Sequence, residues 1–288
     1  RDLIVALEAH HSKCYHLGMG KNVSKSSLAR ANQDRDYHIF EEYAYYLVSE
    51  ARQKRVNHIF KLGGNVYAFD STTIDLCLSV FWWAKFRKKK GGIKVHTLYD
   101  VETQIPAFFH ITEASVHDSK AMIEIPYEPG SYYIFDRGYN NFKMLNRIHL
   151  IEAYFVVRAK KNLQCKFIKW KRRLPKNVLS DASVLLTGFY PKQYYPEPIR
   201  LVKYWDEEQE REFIFITNAM HISALQVAEL YKNRWQVELF FKWLKQHLRI
   251  KRFWGTTENA VRIQIYAAIC TYCLVAIIQH DMQLDRST

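Results

Sequence analysis

Val66-Tyr67-Ala68-Phe69-Asp70-Ser71-Thr72 opens on four apolar residues, then presents a carboxylate and two hydroxyls. A short apolar run, with Gly63-Gly64 before it and polar residues after it, reads as a buried strand ending at Asp70. The pattern returns in Tyr132-Tyr133-Ile134-Phe135-Asp136-Arg137-Gly138-Tyr139, a second apolar strand ending at Asp136. A carboxylate at the C-terminal end of a buried strand points out of the sheet edge, where α/β active sites collect. One such aspartate is more often a cap for the following turn. Two in matching context favour a shared site.

The segments around these strands complete an α/β pattern. Lys94–Tyr99 and Ile105–Ile111 read as a hairpin joined near Asp100 to Gln104. Val116–Ile125 predicts a helix stopped by Pro126, Asn140–His149 another helix, and Tyr154–Val157 a further strand. Upstream, residues 1–60 read as mainly helical, with apolar and aromatic side chains at helical spacing from Tyr37 to Arg52. Downstream, Leu179–Leu186, Ile199–Tyr204 and Phe213–Ile216 read as strands of a β-rich insertion over 165–217, with prolines at 191, 196 and 198. Ala224–Arg249 then predicts one long helix and Asn259–Gln279 a second. The expected architecture is a mixed sheet flanked by helices. A helical N-terminal segment (1–60) precedes a catalytic unit (61–164 and 218–288), which the insertion interrupts.

The chain has 288 residues, of which 48% are hydrophobic, enough for a sizeable core. Its 42 basic residues against 29 acidic ones give a net charge of +13, which points to a polyanionic partner. Six Lys and Arg and no acid lie between Lys85 and Lys94, among them Lys88, Lys89 and Lys90. Nine more, again with no acid, lie between Arg158 and Lys176, where Trp170 is followed by Lys171, Arg172 and Arg173. Any single run can be a merely solvated face. Two acid-free runs, one carrying an aromatic ring, favour phosphate contact and base stacking.

Other classes fit less well. The longest apolar stretch, Ala267–Ile278, is too short for a bilayer, which needs about 20 residues. No secretory signal is visible, and the start at Arg1 is read as the loss of a natural N-terminal segment. Five scattered cysteines fit a reducing compartment, with Cys270 and Cys273 as core residues rather than half of a zinc site. Gly18-Met19-Gly20-Lys21 lacks the spacing of a phosphate loop. No His-x-x-Arg element of a tyrosine recombinase stands out.

Glu238 is the only acid between Glu229 and Glu258, in a helix otherwise rich in cations. At 100° per residue, Tyr231, Arg234, Glu238 and Lys245 fall within roughly 60° of one another, with Lys242 adjacent. Leu230, Val237, Phe240, Phe241, Leu244 and Leu248 form the neighbouring apolar stripe. The bland alternative is an exposed Arg234–Glu238 pair at i, i+4. With Asp70 and Asp136, Glu238 completes three carboxylates from separate parts of the chain. That is the donor set two hard divalent ions need, because Mg²⁺ takes oxygen ligands and keeps several waters.

Tyr231-x-x-Arg234-x-x-x-Glu238-x6-Lys245 resembles the Tyr-Arg-Glu-Lys signature of bacterial insertion-sequence transposases of the DDE class, in the insertion sequence 4 branch. Phe69-Asp70-Ser71-Thr72 and Asp136-Arg137-Gly138-Tyr139 resemble its two aspartate motifs, and Lys94-Val95-His96 and Ser115-Val116-His117-Asp118 resemble further family segments. The resemblance implies a ribonuclease H-like fold, with Asp70 on the first strand, Asp136 on the fourth and Glu238 on a later helix. The 102-residue gap from Asp136 to Glu238 matches a branch in which a β-rich insertion fills it. The resemblance further implies two Mg²⁺ or Mn²⁺ ions on Asp70, Asp136 and Glu238. Nicking at a transposon end would precede attack of the freed 3′-hydroxyl on target DNA. Tyr231, Arg234 and Lys245 would hold phosphates. A tryptophan (Trp170, Trp205 or Trp235) would steady a flipped base where a hairpin forms, and His96 and His117 would lie near the site. The implied partners are double-stranded DNA and a second copy, as a homodimer on paired ends, in the bacterial cytoplasm at the nucleoid and not at a membrane. Residues 1–60 would be a remnant of the DNA-end-binding region. The alternatives are an endonuclease of the same fold without strand transfer, a transposase-derived DNA-binding protein without catalysis, and a membrane-surface protein. The intact carboxylates count against the non-catalytic DNA-binding protein, and Glu238 within the basic face counts against the membrane-surface protein.

Overall fold

The computed structural model describes residues 2–19, 23–55, 59–77, 79–87, 90–247, 253 and 255–284. In chain order the helices α1 (Asp2–Ala9), α2 (His11–Cys14), α3 (Lys25–Asp34) and α4 (His38–Lys54) lead into the strands β1 (Val66–Leu76), β2 (Lys85–Arg87), β3 (Lys90–Asp100) and β4 (Ile105–Glu113). The short helix α5 (Asp118–Ala121), β5 (Tyr132–Phe135), α6 (Phe142–Leu150) and β6 (Tyr154–Arg158) follow. Then come β7 (Cys165–Trp170), β8 (Val178–Leu186), α7 (Phe189–Tyr194), β9 (Ile199–Asp206) and β10 (Arg211–Thr217), and last α8 (Ala224–Lys232), α9 (Trp235–His247) and α10 (Glu258–Asp281).

β1 lies in the middle of the part of the sheet formed by β4, β3, β1, β5 and β6. It runs antiparallel to β3, which pairs with β4, and parallel to β5, which runs parallel to β6. This is the ribonuclease H-like order: three antiparallel strands followed by two parallel ones on the other side of the first. β10, β9, β8 and β7 continue the same sheet beyond β6, all antiparallel, so the strands over 165–217 are hydrogen-bonded to the strands that precede them. Gly64 lets β1 and β5 start side by side, since a Cβ there would collide with the carbonyl of Gly130.

Both faces of the central strands are buried, which is why their sequences read as unbroken apolar runs. Val66 and Ala68 point into one core with α4, α8, α9 and α10. Tyr67 and Phe69 point into the other with Met144, Leu145 and Ile148 of α6. Alternation therefore puts Asp70 on the face that meets α9. α10 is long and apolar enough to cross a membrane. Its Val261, Ile265, Ile269 and Cys273 are buried in the protein core, where it packs against α4 and α9.

Three expectations change. β1 does not end at Asp70: it continues to Leu76, because Thr72, Thr73 and Ile74 are β-branched and pair with Val95, Lys94 and Ile93. Only the parallel pairing with β5 stops at Phe69, opposite Phe135, so Asp70 lies where the two strands part. The helix expected over 116–125 shrinks to α5 and a 3-10 turn at Met122–Glu124. The single helix expected over 224–249 is broken at Asn233. The side chain of Asn233 donates to the Glu229 carbonyl at 2.9 Å, and the next turn tightens through i→i+3 bonds such as Arg234 N–H to Tyr231 O.

Candidate active site

Asp70 leaves β1 on the α9 side, Asp136 follows β5 directly, and Glu238 sits in the first turn of α9. The break after α8 swings Arg234 between them. Its Nη1 donates to Asp70 Oδ2 at 2.8 Å and its Nη2 to Glu238 Oε1 at 2.5 Å. Tyr231, at the end of α8, donates its hydroxyl to Asp136 Oδ1 at 2.8 Å. Thus three predicted carboxylates and two predicted partners converge, although Asp70 and Arg234 lie 164 positions apart. The Arg234–Glu238 pair is real, but the Arg234 side chain is only 16% exposed and its guanidinium serves two acids, unlike an ordinary surface pair.

Burial pushes the Asp70 carboxyl up to about 6. Arg234 and the Ser71 N–H pull it down, while Glu238 and Asp136 push it further up. The neighbouring like charges are felt at Asp70, which is the electrostatic signature of a shared carboxylate site. At Asp136, burial also acts upward, but the Arg137 N–H, the Tyr231 hydroxyl, Arg234 and Arg158 together hold it below the usual carboxylate value. Burial and the adjacent Asp136 raise the Tyr231 phenol to about 12, so it remains a donor.

Asp118 belongs to the same neighbourhood. It accepts from the Ser71 hydroxyl at 2.8 Å and pairs with Lys94 at 3.0 Å, and Lys94 also donates to the Val116 carbonyl at 2.7 Å. These contacts tie β1, just past Asp70, to β3 and to the segment before α5. Motif resemblance marked Lys94 and Asp118, but no periodicity linked them to Ser71. Tyr139, the last residue of the motif Asp136-Arg137-Gly138-Tyr139, is buried, and its hydroxyl reaches Asp70 Oδ1 at 3.5 Å, a contact that the motif alone does not indicate.

A cavity of about 800 Å³ opens beside Tyr231 and Arg234, between α8 and the β9–β10 hairpin; none of the three carboxylates lines it. Tyr231, Arg234, Trp235, Arg158, Arg211 and Phe213 line it, with the Arg158 and Arg211 guanidinium groups 4.9 and 4.4 Å from the Phe213 ring centre. Trp235 is half exposed on this cavity. Lys242 is exposed one turn beyond Glu238, and Lys245 lies half-buried further along α9.

Other expected contacts lie elsewhere. Trp170 stands exposed on β7, at the far edge of the sheet, stacked on Phe167 with ring centres 4.2 Å apart. Lys171 pairs with Asp181 at 2.9 Å, and Arg172 and Arg173 are exposed beside it. Trp205 is exposed near the end of β9. Lys88, Lys89 and Leu248 lie outside the described residues, and Lys90 begins β3. His96 does lie near the site, paired across the strands with Ser71 beside Asp70; it is buried, bonded to Thr112 Oγ1 at 3.0 Å, and burial pushes it down to about 4. His117 caps α5 by accepting the Ser119 N–H.

Oxygen donors from three acids suit a hard cation such as Mg²⁺ or Mn²⁺, and the upward push on Asp70 is a demand for positive charge. Among the described residues, however, no three His, Cys, Asp or Glu side chains form a closed ligand group. Arg234 stands between Asp70 and Glu238 and supplies the positive charge instead.

Residues 61–274 match the family model described as "Transposase DDE domain". The chain is 37% identical over 215 residues to a Sinorhizobium fredii protein named as a transposase, covering 72% of this chain and 59% of that protein. It is 27% identical over 250 residues to a Geobacillus stearothermophilus protein named as the transposase for insertion sequence element IS5377, covering 87% and 66%. It is 26% identical over 273 residues to a Synechocystis protein named as a transposase for insertion sequence element IS4SA, covering 90% and 73%. The chain thus spans about 59% and 66% of the length of the first two relatives.

Proposed function

Because this chain belongs to the family of transposase DDE domains, we propose that it is the catalytic part of a DNA transposase of a bacterial insertion sequence, cutting at transposon ends and joining them to target DNA. The observation that carries the reading is the convergence of Asp70, Asp136 and Glu238 with Tyr231 and Arg234. Asp70, Asp136 and Glu238 are the residues that would hold Mg²⁺ or Mn²⁺. When bound, two such ions activate the attacking oxygen and support the leaving one.

The chain's own residues have separable tasks. Tyr231 orients Asp136 through its hydroxyl, and the Ser71–Asp118–Lys94 contacts stiffen β1 beside Asp70. Lys242 and Lys245 extend the cationic line of α9 toward DNA phosphates. Of the three tryptophans weighed for a flipped base, Trp235 is favoured, because it lines the cavity beside Arg234. Trp170, Lys171, Arg172 and Arg173 are assigned to DNA backbone held away from the carboxylates, and Lys88, Lys89 and Lys90 to DNA backbone. A homodimer on paired ends, at the bacterial nucleoid, and membership of the insertion sequence 4 branch complete the proposal.

The test is cleavage of labelled DNA from the element's own ends, with Mg²⁺ or Mn²⁺, by the parent and by Glu238→Gln. Metal-dependent cleavage by the parent, none by the variant and equal DNA binding by both are expected. Equal cleavage by both would sink the role of Glu238. Cleaved ends that never join a target plasmid would make the protein an endonuclease.

A further inference from the structure

Arg200 and Arg234 are both packed against acids, and they are bonded differently. Arg200, 2% exposed, uses every arm of its guanidinium: Nε and Nη2 go to the two oxygens of Asp181 at 2.8 Å, and Nη1 goes to the carbonyls of Ala219 and Ile222 at 3.0 and 2.7 Å. That is a saturated structural strut. Arg234 spans two separate carboxylates with one bond to each, and its Nε is buried with no hydrogen-bond partner. A buried donor left unmade is costly, so this arrangement is not the one that best satisfies the guanidinium.

Arg234 also stands in a particular place. It takes one oxygen from Asp70 and one from Glu238, two of the three acids assigned to the metal, and no closed ligand group exists among the described residues while it does so. A divalent ion entering between these oxygens would meet a fixed positive charge a few ångströms away. The adjoining cavity of about 800 Å³ gives the side chain room to turn away from Asp70 and Glu238; Arg158, Arg211 and Tyr231 line it, together with Asp206, Glu207, Glu208 and Glu229. A DNA phosphate would offer the planar guanidinium two oxygens at once, a two-pronged contact that arginine favours.

We propose that Arg234 is a stand-in for the metal: in the metal-free chain it locks Asp70 to Glu238, and it leaves for a DNA phosphate so that the divalent ion can bind. This rests on the metal-dependent DNA reading above. DNA and metal then bind cooperatively, and each raises the affinity for the other by the same factor.

The experiment is a Mn²⁺ titration of the chain, following free Mn²⁺ by electron paramagnetic resonance, with and without a short DNA duplex. Arg234→Ala and Arg234→Gln are run beside the parent, with circular dichroism to check that each is folded. The parent is expected to bind Mn²⁺ about tenfold more tightly when the duplex is present. Both variants are expected to bind Mn²⁺ about tenfold more tightly than the parent without DNA, with little further gain from the duplex. If a folded variant binds Mn²⁺ no tighter than the DNA-free parent, the stand-in role is overturned and the metal reading survives. If no protein binds Mn²⁺ under either condition, the metal reading falls and the stand-in falls with it.

Discussion

Asp70 carries its charge at a cost to the fold. Burial and the charges of Glu238 and Asp136 lift it to about 6, against the pull of Arg234, from a usual 3.8. Its pKa is higher folded than unfolded, so ionisation destabilises the folded chain. That cost grows as pH rises from about 4 to about 6 and is fully present above, reaching about 3 kcal/mol. Asp70→Asn is therefore expected to raise the melting temperature of the metal-free chain at pH 7 to 8, and to change it little near pH 4. A lower melting temperature at pH 8 would mean that the lost Arg234 pair outweighs the relief. The residue types of this site were legible in the sequence, because a lone glutamate among cations and two strand-associated aspartates stand out locally. The Arg234 bridge was legible only at its Glu238 end, where i, i+4 spacing on one helix suffices. Its Asp70 end depends on which face of β1 meets α9.

Elements decide how firmly that site is held. α8 begins with a capping box in which Ser223 and Gln226 satisfy each other's backbone N–H groups, and the Asn233 junction sets α9 so that Glu238 faces β1. The turn between β10 and α8 is fastened by Arg200, whose bonds to Ala219 and Ile222 join it to β8 through Asp181. Burial would raise Asp181, yet Arg200 and Lys171 hold it below the usual 3.8. Its contribution to stability is thus present above about pH 4 and is lost as pH falls through its lower folded value. Asp181→Asn leaves a buried guanidinium without its counter-charge, and a loss of about 3–5 kcal/mol is expected in urea unfolding at pH 7. The gap between parent and variant should close as the pH falls through the lowered value of the Asp181 carboxyl. A variant with the parent's midpoint at pH 7 would show that the strut is not structural. Strand β5 could be read to the residue because four buried positions in a row have no alternative pairing pattern. β7 could not: its lysines and half-exposed aromatics match an edge strand only once β8 is known to lie beside it.

The whole molecule presents a net charge of +13 to its surroundings. Binding to a duplex should therefore weaken steeply with salt, by a slope of about 0.9 for each phosphate contact. Arg172→Ala with Arg173→Ala, both exposed beside Trp170, should reduce the slope of log affinity against log salt by about 2 and leave Mn²⁺ binding unchanged. An unchanged slope would place DNA elsewhere. At this scale the sheet continues from β4 through the catalytic strands to β7, so an edge that carries cations and stacked rings is rigidly connected to the carboxylates several strands away.

The sequence alone determined the class of this protein: apolar strands leading to Asp70 and Asp136, the signature from Tyr231 to Lys245, and the basic balance are all local patterns or sums. It also determined that α10 is a helix, though only burial against α4 and α9 made it a core helix. Tertiary structure alone decided that Arg234 sits between two acids, that Asp118 is held by Ser71 and Lys94, and that Arg200 is a strut. The physical reason is the range of the forces that sequence patterns record. Periodicity and capping act within a few residues and leave a visible spacing. An ion pair across 164 positions depends on which faces the packed strands and helices present, and that is settled only when the whole core closes.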